Sequence, residues 1–276
     1  MTTAGPWWRR LRDRLLGRPV AIPDVPWQAL LDRHPFLLRH GPSSGPALRA
    51  LCGEFLAAKQ FEGAGGLLVH DEMALAIAAQ ACLPLLGVAG PLRGLAWYSD
   101  FVGIVVHPDA VRARREWTDE LGVVHQWHEE LSGEAMEGGP VMLSWTDVAD
   151  AAASADDGYN VVIHEFVHKM DLRDGEADGC PPLPPGFMGH ASARAARAHW
   201  TSTLEAAFLD FGDRLSLHQR FGGPPVWLDP YGATAIDEFF AVAAEAYFVN
   251  PLRFAQEFPT LPALFDAFFR ASSPAG

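Results

Sequence analysis

The sequence predicts an α+β fold, and three observations carry that expectation. Apolar residues recur at helical spacing in some segments, while others are short runs of β-branched and aromatic residues. The two kinds mix as far as about Trp145, after which the pattern is mainly helical. No repeat or low-complexity tract interrupts the 276 residues, and a hydrophobic content of 49% is enough to bury a substantial core.

Taken in order, helical patterns cover residues 47–59 and 71–83. Extended runs occur at "GLLV", "LAWY", "FVGIVVH" and "VMLSW", which together suit one small sheet. Further helices are expected over 160–172, 191–211 and 235–249, with a last one within 251–272. The turn-rich stretches "RDGEADGCPPLPPGF" and "FGGPPVWLDPYG" separate them, because proline and glycine end helices. The expected organisation is a basic N-terminal arm, residues 1–26, followed by a single domain, 27–276, with a soft division near 145.

Composition removes several classes of function. A formal charge of −13 and the lack of a long Lys/Arg run argue against nucleic acid, whose phosphates need a basic footprint. Three widely spaced cysteines, Cys52, Cys82 and Cys180, make neither a disulfide framework nor a cysteine metal cluster, and they suit a reducing compartment. The start, "MTTAGPWWRRLRDRLLGRPV", places Arg9, Arg10, Arg12, Arg14 and Arg18 where an export signal needs an apolar run, so a cytoplasmic location is expected. With Trp7 and Trp8 this arm either touches a membrane surface or packs as a basic arm. The apolar stretch 73–90 has the length of a membrane span, yet Gln80, Pro84 and two glycines interrupt it. A buried helix ending near Pro84 is the expectation, and no transmembrane segment.

The stretch "NVVIHEFVHKMD" carries the chemistry. On a helix, residues four apart lie one above the other, so His164 and His168 present their imidazoles to a common point. Zinc accepts neutral imidazole nitrogen, and a catalytic zinc keeps three protein ligands and one open position. Glu165 stands at the edge of the same face, where a general base belongs in helical zinc hydrolases. The flanking Val161, Val162, Ile163, Phe166 and Val167 would bury the motif, and metal ligation relieves the cost of burying two histidines and an acid.

A third ligand must come from another element. The chain after His168, "KMDLRDGEADG", holds no histidine until His190, so the short-range pattern fails. The segment "PYGATAIDEFFAVAAEAYF" instead places Glu238 and, seven residues on, Glu245 on one face of a strongly apolar helix.

"HEFVHKMD" followed by "YGATAIDEFF" resembles the Mlc titration factor A peptidase family and, more distantly, the catalytic domain of anthrax lethal factor, both Glu-zincins. The likeness extends to "FLAAKQFEGAGGLLVHDEMALAIAAQACLPLL" and "GGPVMLSWTDV", and so covers the chain from about Trp27 to the last helix. It implies a zincin-like catalytic region with an active-site helix, a small sheet and a helical C-terminal part. It implies one Zn2+ held by His164, His168 and Glu238, with Glu165 as general base. It also implies a catalytic role for Tyr231, whose hydroxyl would hydrogen-bond an oxyanion; the alternative is a tyrosine packed in its own loop. The activity implied is peptide hydrolysis with an amino-end preference and a regulatory role.

Where many Glu-zincins carry a polar residue one turn after the ligand Glu, this chain has Val242, so the carboxylate that orients a ligand histidine must come from elsewhere. Asp171 and Glu245 are the candidates. Zincins bind peptides as an added strand, and Val141, Met142, Leu143, Ser144 and Trp145 are expected to form that sheet edge, an interior strand being the alternative. His125 and His128 in "HQWHEE" lie three apart in an extended segment and face opposite sides. His190, His199 and His218, the last in a loop, have no acid at a telling distance. Cys180, twelve residues after His168, stays open as a fourth ligand that would block the site. The partners expected are a peptide or protein substrate and, in a rival reading, an Mlc-like repressor bound without catalysis.

Overall fold

The computed structural model describes residues 19–39, 44–109, 111–118, 124–131, 133–135 and 139–270, with side chains described outside 110–138. The fold is α+β. Five helices precede or flank the sheet region: α1 (Asp24–Arg33), α2 (Ser44–Ala58), α3 (Asp71–Cys82), α4 (Trp145–Asp150) and α5 (Val161–Asp171). The helical remainder is α6 (Ala193–Phe221), α7 (Ile236–Val249), α8 (Pro251–Glu257) and α9 (Leu261–Phe269). Of the arm expected over 1–26, residues 1–18 lie outside the described residues; Val20 and Ile22 are buried, and the Val20 amide donates to the Gly53 carbonyl at 2.9 Å. Only glycine permits that approach, since a Cβ at position 53 would stand 2.4 Å from the Val20 oxygen.

Strands β1 (Gln60–Gly63), β2 (Gly103–His107) and β6 (Val141–Ser144) are parallel, and β5 (Gly133–Ala135) adds antiparallel to β6, giving the order β1-β2-β6-β5. Strands β3 (Val111–Thr118) and β4 (Val124–Leu131) make a separate antiparallel pair. Parallel neighbours need a crossover, and α3 supplies the one between β1 and β2. In β2 the alternation is clean, Ile104 and Val106 being fully buried.

The sheet corrects three expectations. Strand β6 lies between β2 and β5, so Val141–Ser144 is an interior strand and not the edge, while Trp145 already begins α4. The edge falls to β5, whose Gly-Glu-Ala composition carries no strand signal. "GLLV" forms no strand, since Gly65 and Gly66 turn the chain away at φ 59° and 82°. "LAWY" lies in a 3-10 turn, Gly94–Tyr98, which buries Trp97 and Tyr98 together where a strand would send them to opposite faces.

Two helix limits also differ from expectation. Helix α6 runs on from 211 to Phe221 because nothing in that stretch breaks it before Gly222, at φ 69°. His218 is therefore helical, its ring nitrogen 2.7 Å from the Gly223 carbonyl. The last expected helix is two, since Pro262 suits the first turn of a new helix and not the interior of an old one. The stretch 73–90 behaves as expected, with α3 buried along residues 73–82 and ended by the turn at Pro84. Among the described residues no helix is long and apolar enough to cross a membrane.

Helix α5 lies at the centre of this arrangement. Phe166 enters a cluster with Phe55, Tyr98 and Phe101, at ring separations of 5.6, 4.8 and 5.8 Å. Three buried residues from α2, the 3-10 turn and the loop before β2 thus close on one side chain of α5, and one continuous core joins the two halves of the chain.

Candidate metal centre

Asn160 opens α5 by accepting the Ile163 amide on its side-chain oxygen, 2.9 Å, which satisfies one of the free N–H groups at the helix start. One turn in, the His164 and His168 rings meet edge to face, their centres 4.7 Å apart. Their Nε2 atoms are 3.1 Å apart. Glu238, in the first turn of α7, sends Oε2 to within 3.2 Å of His164 Nε2 and 3.1 Å of His168 Nε2. These three residues form the group able to hold a metal ion among the described residues. The pairing of α5 with α7 brings together donors seventy residues apart in the chain.

The surroundings supply what the donors need. Glu245, two turns along α7 and almost wholly buried, accepts from His164 Nδ1 at 2.7 Å through Oε1. Its Oε2 accepts the Asn160 backbone N–H. The Tyr231 hydroxyl donates to Glu238 Oε1 at 2.9 Å. Tyr231 sits in a 3-10 turn, Pro230–Ala233, fastened by Asp229, whose side chain accepts the Tyr231 amide at 2.9 Å. Gly232 lets that turn lie on α7, since a Cβ there would stand 3.2 Å from Val242 Cβ. Val242, which replaces a polar residue of the resembled pattern, is thus a packing surface for the Tyr231 turn.

The charges are unevenly placed. Burial alone would raise Glu238, but hydrogen bonds with His164 and His168 outweigh it and hold the carboxyl well below the usual range. Burial alone would lower His164, but its bonds to Glu238 and Glu245 raise it well above an ordinary histidine. The site therefore attracts positive charge. Burial pushes Glu165 up to about 7, against the pull of both histidines. Glu165 is 3% exposed, and its Oε2 meets no hydrogen-bond partner among the described residues. An acid poised near neutrality can exchange a proton.

Of the two acids expected to orient a histidine, Glu245 reaches one and Asp171 does not. Asp171 turns instead to the loop beyond α5, accepting the Gly179 amide at 2.8 Å, because the helix ends there and its side chain faces the returning chain. Cys180 is buried in the same loop and stands outside the donor group. His190 and His199 meet, with rings 5.0 Å apart, but no acid joins them in a metal-capable group among the described residues. His125 and His128 lie on β4, and their side chains fall outside those described. Two contacts had no flag in the sequence. Lys169 is fully buried and donates to the Gly139 carbonyl at 3.1 Å, tying α5 to the start of β6. A cavity of about 350 Å³ opens against Tyr159, Trp227, Leu228, Val242 and Glu245, the last being the acid that meets His164.

Two imidazoles and an acid, drawn from two packed helices and backed by a buried carboxylate, could hold a metal ion, and the family match makes this a metallopeptidase-type protein. The chain belongs to the glucose-regulated metallo-peptidase M90 family, whose model matches residues 6–270. It is similar to Mlc titration factor A of Salmonella typhimurium (strain LT2), 32% identical over 248 residues, which is 90% of this chain and 86% of the relative. The Klebsiella pneumoniae (strain 342) protein of the same name is 31% identical over the same extent.

Proposed function

We propose that the protein is a zinc-dependent peptidase of the Glu-zincin type, with His164, His168 and Glu238 as ligands. The observation that carries the reading is the convergence of those three donors beside a Glu165 whose carboxyl burial pushes up to about 7. Ligand atoms about 2.1 Å from a tetrahedral zinc stand roughly 3.4 Å from one another. The donor separations here, 3.1, 3.1 and 3.2 Å, come close to that, and the donor set matches zinc's preference for imidazole and carboxylate. Zinc bound there would polarise a peptide carbonyl and favour ionisation of water.

The chain's own residues do the rest. Glu165 takes the proton of the attacking water and passes it to the leaving amine, a task that suits a carboxyl held near pH 7. The Tyr231 hydroxyl, bonded here to Glu238, swings to donate to the carbonyl oxygen as that oxygen becomes negative. Glu245 holds the Nδ1–H of His164, which leaves Nε2 free to ligate, and Asp171 fixes the loop after α5. The resemblance supports action on peptides from the amino end, and the few, widely spaced cysteines and the Arg-rich start suit a cytoplasmic enzyme, with one catalytic domain following the N-terminal arm. The cavity beside Glu245 offers room for a substrate side chain.

A second reading has one observation in its favour, the name of the relatives, Mlc titration factor A, which ties them to titration of Mlc. On that reading the chain binds an Mlc-like repressor and hydrolysis is secondary. Hydrolysis of a fluorogenic peptide panel by wild type and Glu165→Gln, with zinc measured on each, separates the two. The peptidase reading expects about one zinc per chain in both and a fall in turnover of about 10²-fold or more in the variant. Zinc in both with cleavage by neither would leave the binding reading in possession. A wild type that takes up no zinc would sink the metal assignment itself.

A further inference from the structure

Every residue from 73 to 82 of α3 is buried, and Gln80 alone among them carries strong hydrogen-bonding groups on its side chain. We propose that Gln80 and Asn160 are positioning residues for the metal ligand His164, acting on it through Glu245. The inference rests on the reading of His164, His168 and Glu238 as ligands.

The hydrogen bonds have one consistent direction. The Ile163 backbone N–H can only donate, so the Asn160 amide must face it with Oδ1, at 2.9 Å. That orientation turns Asn160 Nδ2 toward Gln80, where it donates to Oε1 at 2.8 Å. Gln80 is then left with Nε2 to donate to the Val148 carbonyl, at 3.4 Å. Both ends of the relay are backbone groups with a fixed role, so neither amide can flip without losing a bond. Asn160 and Gln80 are fully buried, and water cannot replace what is lost.

The same residue serves the metal side. The Asn160 backbone N–H occupies one oxygen of Glu245, and His164 Nδ1 meets the other at 2.7 Å. A carboxylate held at both oxygens has one rotamer, and with His164 donating from Nδ1 the lone pair of Nε2 is kept toward the ligand cluster. Side chain and backbone of Asn160 move together, so the contact with Gln80 sets the position of the N–H that fixes Glu245. Gln80 thereby couples a helix of the N-terminal half to the tautomer and tilt of a ligand on α5.

The test is zinc affinity by chelator competition on the full chain for wild type, Gln80→Leu, Asn160→Asp, Glu245→Gln and the Gln80→Leu/Glu245→Gln double variant. Unfolding of each zinc-free protein in urea runs beside it. Gln80→Leu removes the acceptor, and Asn160→Asp keeps the helix cap while removing the donor. Each is expected to weaken zinc by about tenfold, in the range for groups behind a ligand. The double variant should bind no more weakly than Glu245→Gln alone, because the relay ends at that residue. Unchanged zinc affinity in both single variants, or additive losses in the double, would overturn the proposal, since a merely structural Gln80 lowers stability without acting through Glu245. Should Gln80→Leu fail to fold, Asn160→Asp and its double with Glu245→Gln give the same two readings. Absence of zinc from the wild type would instead remove the ligand assignment and this inference with it.

Discussion

Asp171 shows how one side chain carries an energetic cost that its neighbours only partly offset. Burial pushes its carboxyl up to about 7, the Gly179 amide pulling the other way, and Oδ1 has no hydrogen-bond partner among the described residues. An acid whose folded pKa exceeds its unfolded value near 3.9 stabilises the fold least when ionised. The penalty begins above the unfolded pKa and is complete above about 7. Asp171→Asn keeps an acceptor for Gly179 and removes the charge. It should therefore be more stable than wild type at pH 8, by roughly 1–3 kcal/mol, and the gain should vanish by about pH 4. Urea unfolding at the two pH values checks this, and an advantage that grew on acidification would contradict it. At this scale the sequence was legible where spacing is local: that His164 and His168 share one face follows from the helical repeat alone. The choice between Asp171 and Glu245 was not, because it depends on which element each acid faces after packing.

At the scale of elements, α5 is held from several sides. Its start is fixed by Asn160, its middle by Phe166 among Phe55, Tyr98 and Phe101, and its end by Lys169 on the Gly139 carbonyl. A helix of eleven residues would not persist alone in water, so its geometry is set by these contacts. Phe166→Ala should cost about 3–5 kcal/mol, the usual loss for emptying a fully buried phenylalanine site. A drop in melting temperature measured with and without zinc tests this. A loss below about 1 kcal/mol would mean that the aromatic cluster does not brace the helix. The existence of α3, α5 and α7 could be read from apolar periodicity. The order of strands could not, since β5 is three residues with no β-branched side chain and it displaces Val141–Ser144 from the edge.

At the scale of the whole molecule, the soft division expected near 145 lies within a single expected domain, and the described residues on its two sides share an interior. One core runs from Val20 to Phe269 and includes residues from both sides of that point. The two halves are joined by polar links as well, Gln80 to Asn160 and Lys169 to Gly139. Unfolding should accordingly be a single cooperative transition, with near-ultraviolet and far-ultraviolet circular dichroism changing together. Two separated transitions would show that the halves hold together less tightly than the shared core requires. The composition shift at 145 that suggested a boundary marks where the sheet ends, and a change of secondary structure is no barrier to a common interior.

Gly179 is gripped through both its backbone groups: its N–H is taken by Asp171, and its carbonyl accepts the indole N–H of the fully buried Trp200. The long connection between α5 and α6 is thereby divided into two shorter arcs, each closed by its own anchor. The second arc contains Met188, which is 43% exposed and has the positive φ of 49°. A digesting protease would find its first foothold there, around 186–189, and a nick at that place would leave both anchors, and the helices they join, standing.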